Sequence, residues 1–163
     1  MNDVDASVLA LGITLRAQGL RLATAESCTG GMIAAACTAV AGSSDWFERG
    51  FVTYSNDAKT EMLGVPAALI AAHGAVSAAV ALAMAEGALA HSHAGMAVSV
   101  TGIAGPGGGS PHKPVGTVWL AVARTGQPAK AELLQLNGDR AAVRLQTVAR
   151  ALQRLQAEVS LPR

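Results

Sequence analysis

Three short stretches of this 163-residue chain set polar side chains where chemistry can happen. The first is Thr24-Ala25-Glu26-Ser27-Cys28-Thr29-Gly30-Gly31. An apolar run ends there and a small-residue helical run begins, which makes it a strand-to-helix turn. Such a turn offers unpaired backbone N–H groups and the positive end of a helix dipole, a natural seat for an oxyanion or a phosphate. Gly30 and Gly31 let the backbone approach a ligand without a Cβ in the way. Ser27 or Thr29 is there either as a plain helix cap or as a working group beside Glu26, and the local residues leave both readings open.

The second stretch is Phe51-Val52-Thr53-Tyr54-Ser55-Asn56-Asp57-Ala58-Lys59, which holds the only tyrosine of the chain. Tyr54 falls at a strand end and Lys59 in the first turn of the next helix. An ammonium at a helix N-terminus opposes the dipole, so stability alone does not account for it. A desolvated lysine in that field loses proton affinity and can act as a base toward a serine. Taken singly, Lys59 reads first as a solvated surface charge, and Tyr54 as an aromatic at the edge of the core with its hydroxyl satisfied.

The third stretch runs through Thr101-Gly102-Ile103-Ala104-Gly105-Pro106-Gly107-Gly108-Gly109-Ser110-Pro111 toward Gly116. It lacks the Gly-Lys-Ser/Thr ending of a phosphate-binding P-loop. It also misses the dinucleotide fingerprint, because Ser110 stands where the third glycine belongs and a strand follows instead of a helix. Its N–H groups can still line a pocket. The histidines, His73, His91, His93 and His112, pair with no cysteine or carboxylate at zinc spacing, and no metal site is expected. Cys28 and Cys37 are too few for a disulfide framework and fit a reducing compartment.

These stretches need a scaffold. Apolar spacing predicts helices over 4–18, 32–40, 57–63, 77–91 and 139–158, and a short one after Pro66 that ends near Gly74. Asp3 or Asp5 is expected to cap the first, Gly19 to end it, and Asn56 to cap the helix that carries Lys59. Strands are expected over 20–25, 51–54, 96–101, 115–123 and 131–136. The order is no strict alternation of strand and helix, so the expectation is one α/β domain over 1–163, a three-layer α/β/α arrangement around a mixed sheet.

Composition narrows the function classes. Apolar residues make up 51% of the chain but aromatics only 3%, so alanine-packed helices are expected rather than stacking platforms. A formal charge of +1 gives no broad attraction to nucleic acid or to an anionic membrane, and neither is expected as a partner. The sequence start shows no basic, apolar leader, and no membrane-length apolar run occurs; a cytoplasmic location is expected.

Taken in order, further motifs join these stretches: His73-Gly74-Ala75-Val76-Ser77, Lys113-Pro114-Val115-Gly116-Thr117-Val118 and Gly138-Asp139-Arg140. The ordered set resembles the CinA C-terminal family, whose stand-alone members are nicotinamide-nucleotide amidases. Larger members carry a further N-terminal domain that this sequence does not include. The resemblance implies hydrolysis of the carboxamide of nicotinamide mononucleotide to nicotinate mononucleotide and ammonia, a step of pyridine nucleotide salvage, without a cofactor. It implies a serine nucleophile at Ser27, assisted by Lys59 and Tyr54. Glu26, Thr29, Gly30 and Gly31, with Thr101, Gly102 and Gly105, would then surround the substrate, with oxyanion donors near 29–31 or 101–102. Arg140 would take its phosphate, and a homodimer is the expected assembly. The rivals are a non-catalytic nucleotide-binding or partner-regulating domain, and an enzyme that uses Cys28 as nucleophile.

Overall fold

A computed structural model describes residues 2–162. A five-stranded mixed sheet lies at its centre, with strands β1 (Leu22–Glu26), β2 (Phe47–Val52), β3 (Met96–Gly102), β4 (Thr117–Arg124) and β5 (Lys130–Gln135). Their order across the sheet is β2-β1-β3-β4-β5; β1 runs parallel to both neighbours, and β4 and β5 are antiparallel. Six α-helices flank it: α1 (Asp3–Gln18), α2 (Met32–Thr38), α3 (Asn56–Leu63), α4 (Ala67–His73), α5 (Ala78–Ala90) and α6 (Arg140–Val159). The expected three-layer α/β/α architecture and the mixed sheet are both present.

Strand pleating sorts the layers. Leu22, Val98 and Val100 face the side where Val8, Leu11 and Leu15 of α1, Ile33 of α2 and Val143, Leu152 and Leu155 of α6 form the larger core. Ala23, Ala25 and Ala97 face the other side, against Val80, Met84 and Ala88 of α5. Alanines on that face let α5 lie close to the sheet. Gly87 of α5 has no room for a Cβ, because the Leu63 carbonyl at the end of α3 occupies that space. This approach seats α3, and with it Lys59.

The connections fix where a site can form. From β1 the chain crosses through α2 to β2 on one side, and from β2 it crosses through α3, α4 and α5 to β3 on the other. The carboxyl end of β1 is therefore where the winding reverses, the crevice in which open α/β sheets bind ligands.

Several boundaries differ from expectation for local reasons. β2 starts at Phe47 instead of 51, because Leu22 pairs with Phe47 and Ala23 with Arg49. Glu48 and Arg49 hide the strand signal, since an edge strand tolerates charge. The cap of α1 is Asn2, whose Oδ1 accepts from Asp5 N at 2.8 Å, and neither Asp3 nor Asp5 fills that place. α3 is capped by the Ser55 hydroxyl, which accepts from Ala58 N at 3.0 Å, and Asn56 becomes its first residue. Pro66 caps α4 from outside the helix, and α2 ends at Thr38. Gly19, Ser77 and Asp139 bound their helices as expected.

Candidate active site

Ser27 follows β1 directly, and its N–H donates to Val100 O of β3 at 3.0 Å. The turn closes with Gly30 N donating to Ser27 O at 3.1 Å. Gly30 and Gly31 take φ of +58° and +106°, left-handed values that admit glycine readily, and the chain passes straight into α2. The Glu26 side chain turns away from the cleft into the layer below. Its carboxylate accepts from Thr29 Oγ1 at 2.5 Å, Ile33 N at 2.8 Å and Ala34 N at 3.0 Å, which makes it the cap of α2. The two N–H groups it takes are among those a bound anion would otherwise use.

Lys59 reaches Ser27 from α3 with its side chain 1% exposed. Nζ lies 3.1 Å from Ser27 Oγ, 3.2 Å from Thr53 O and 3.2 Å from Tyr54 O. No carboxylate pairs with it among the described residues. Burial lowers its proton affinity from the ordinary lysine range, only partly opposed by the Cys28 thiol nearby. Nζ donates to all three oxygens, and Ser27 Oγ in turn donates to Tyr54 O at 3.5 Å. In the neutral amine two N–H groups suffice for the two carbonyls, which frees the lone pair for the serine hydroxyl.

Tyr54 contributes its carbonyl to this arrangement, while its side chain is 62% exposed. The phenol accepts from Arg140 Nη2 at 3.4 Å, and Arg140 Nη1 donates to Gly105 O at 2.9 Å. Arg140 thus joins the tyrosine to the glycine loop across the mouth of a cleft of about 250 Å³. Ser27, Tyr54, Lys59, Thr101, Gly102 and Arg140 all line that cleft. Thr101 Oγ1 is already committed to Ala75 O at 2.9 Å. A second concavity of about 540 Å³ adjoins the first and shares Ala104 and Arg140 with it.

Five of the expected substrate contacts lie outside the cleft lining: Glu26, Thr29, Gly30, Gly31 and Gly105. Glu26 and Thr29 bond to each other, Gly30 and Gly31 shape the turn, and Gly105 anchors Arg140. Asn56, Ala75, Val76 and Ala104 also line the cleft; they stand in the motifs singled out in the sequence, but none was expected as a site residue, Asn56 having looked like a cap. Arg144 was also missed. Its Nε donates to Cys28 O at 3.1 Å and its Nη2 to Thr29 O at 3.3 Å, one helical turn beyond Arg140. That i, i+4 spacing was the available signal. None of the histidines lines the cleft, and no group of three or more potential metal ligands forms among the described residues. Cys28 lines the cleft too, but burial, with Glu26 adding to it, pushes its thiol up to about 11. A thiol so held is protonated near neutral pH and is a poor nucleophile.

A serine on a tight turn, a buried lysine 3.1 Å from its hydroxyl and an arginine at the rim lie together where the winding of the sheet reverses. Residues 5–159 match the CinA C-terminal domain. The chain belongs to that family. It is 54% identical over 145 residues to the nicotinamide-nucleotide amidohydrolase PncC of Escherichia coli K12, covering 89% of this chain and 88% of the relative. The protein of the same name from Pseudomonas putida is 55% identical over 152 residues, covering 93% and 94%. A CinA-like protein of Citrifermentans bemidjiense is 61% identical over 142 residues, and there the match spans 87% of this chain but only 34% of the longer relative. Among solved structures, the competence/damage inducible protein CihA of Agrobacterium tumefaciens superposes with a TM-score of 0.94 at 47% identity, covering 96% of both chains.

Proposed function

We propose that this protein is a nicotinamide-nucleotide amidase that converts nicotinamide mononucleotide to nicotinate mononucleotide and ammonia. The observation that carries the reading is the buried Lys59 amine 3.1 Å from Ser27 Oγ, with no carboxylate paired to it among the described residues. A lysine that only bound a nucleotide would be expected to present its ammonium to the phosphate; here Nζ is turned to the Ser27 hydroxyl and two carbonyls instead. The amidohydrolase names of relatives that match over nearly their whole length supply the substrate.

In this mechanism Lys59 Nζ takes the Ser27 proton directly as Oγ attacks the carboxamide carbon. Tyr54 supports the step through its carbonyl, which orients the amine, while its phenol stays with Arg140 at the rim. Charge builds on the amide oxygen, and the N–H groups of the turn after Ser27 are placed to stabilise it. The Lys59 ammonium then gives its proton to the departing nitrogen, ammonia leaves, and an acyl ester remains on Ser27. Water, deprotonated by the same lysine, attacks the ester carbon; the acid product leaves and the proton returns to Ser27. Arg140, where the two concavities meet, is the partner for the substrate phosphate and takes it as a charge-assisted fork. Such a product would feed pyridine nucleotide salvage, and the family resemblance is what supports that setting and a cytoplasmic homodimer.

The test is ammonia release from nicotinamide mononucleotide by the wild-type protein and by Ser27→Ala and Lys59→Ala. Release by the wild type and loss in both variants are the expected result. Retained turnover in Ser27→Ala would remove the serine, and a folded wild type with no release would remove the substrate.

A further inference from the structure

Arg144 lies outside the serine–lysine pair yet makes two bonds to the nucleophile turn. Its guanidinium fork spans consecutive carbonyls, Cys28 O at 3.1 Å and Thr29 O at 3.3 Å. It enters no ion pair among the described residues, so these carbonyls are its partners. It passes over Gly30, where a Cβ would come 3.6 Å from Nη2. The helix behind it is rigid. α6 is anchored through Val143, Thr147, Val148, Ala151, Leu152 and Leu155, all buried.

In a trans peptide the C=O and the following N–H point in opposite directions. Pulling Cys28 O toward α6 therefore turns Thr29 N–H away from α6. The bond from Gly30 N to Ser27 O fixes the neighbouring peptide, and with it Cys28 N–H, in the same manner. Neither of these two N–H groups has a main-chain partner among the described residues. We propose that Arg144 is a positioning residue: by holding the Cys28 and Thr29 carbonyls from the α6 side it keeps the turn in the conformation that presents the Cys28 N–H, at the cleft wall, to the oxyanion of the tetrahedral intermediate on Ser27. Glu26 holds the same turn from the α2 side. The inference rests on the serine–lysine reading of the cleft.

A donor displaced from an oxyanion loses most of its effect in the transition state and little in the ground state. Arg144→Met keeps the apolar stem and removes the fork; kcat for nicotinamide mononucleotide should fall about 10- to 100-fold while KM stays within about threefold. Arg144→Lys keeps the charge but can hold one carbonyl at a time, and its kcat should fall between the two. A second readout does not need the nucleotide. A fluorophosphonate labels Ser27 by forming an O–P bond, expelling fluoride and passing the serine proton to Lys59. Its labelling rate should fall in the same order across the three proteins, each measured below its unfolding midpoint. Wild-type kcat in Arg144→Met, or a raised KM at unchanged kcat, would overturn the proposal, the latter by making Arg144 a substrate contact. If Arg144→Met does not fold, Arg144→Lys decides: slowed labelling supports the proposal and wild-type labelling overturns it. A wild type that labels at Ser27 but releases no ammonia would defeat the substrate assignment alone, and the labelling series would still judge Arg144.

Discussion

Replacing Glu26 by glutamine separates a substrate contact from a helix cap. The carboxylate is 1% exposed, and its three donors are Thr29 Oγ1 and Ile33 N on one oxygen and Ala34 N on the other. An amide keeps one oxygen and sets an NH2 against the remaining donor. With the nitrogen facing Ala34, one buried N–H loses its acceptor, which costs about 1–3 kcal/mol. The two surviving bonds change from charge-assisted to neutral, roughly 1 kcal/mol each, and the favourable charge at the start of α2 is lost, about 0.3–1 kcal/mol. The expected loss is about 3–6 kcal/mol, or roughly 6–24 °C in melting midpoint for a chain of this size. Because the carboxylate is absent from the cleft lining, KM for nicotinamide mononucleotide should stay within about twofold in the protein that remains folded, with any loss appearing in kcat. Thermal melts and steady-state kinetics on the same samples decide it. A midpoint shift below about 2 °C together with a tenfold rise in KM would mean that Glu26 holds substrate and that the capping argument fails.

Lys59 must be neutral to accept a proton, and burial lowers its proton affinity, so kcat/KM should rise with pH to a plateau reached below the ordinary lysine value of about 10.4. Between the lowered value and the ordinary one, the unfolded chain holds a proton that the folded chain has released. The Lys59 contribution to stability therefore rises with pH across that window and is flat on either side. The raised Cys28 and Cys37 thiols contribute an opposite slope above about pH 9, and the difference between wild type and Lys59→Met isolates the lysine. Melts across pH check it; a profile centred at the ordinary value refutes it. Arg140→Ala should raise KM for the nucleotide about 10- to 100-fold, the value of a charge-assisted fork, and barely change KM for nicotinamide riboside, which lacks the phosphate. Equal losses on both substrates would move the phosphate elsewhere. Tyr54→Phe keeps the carbonyl that holds Lys59 and loses only the phenol contact with Arg140, so KM should rise a few-fold and kcat fall less than about threefold. A collapse of kcat by more than about 100-fold would put the phenol in the proton path.

Much of this fold is readable from sequence because its signals are local. Gly19, Ser77 and Asp139 mark helix ends through backbone conformation and capping, and both act within a few residues. β2 was misplaced because its partner, β1, lies more than twenty residues away and pairs it at an edge where Glu48 and Arg49 are tolerated. The site divides in the same way. Ser27, Lys59 and Arg140 could be named one by one, but each alone is as ordinary as a cap or a surface charge; only the crossover that stacks α3 behind β1 brings the amine to the hydroxyl. Glu26 shows the converse. Its neighbours in sequence suggested a ligand, yet side-chain direction alternates along a strand. Ser27, one residue further on, opens into the cleft, while Glu26 turns beneath it to hold the helix. The proposed nucleophile and the residue that caps α2 are thus adjacent because one strand end must do both: support the turn from below and present the serine hydroxyl to the cleft above.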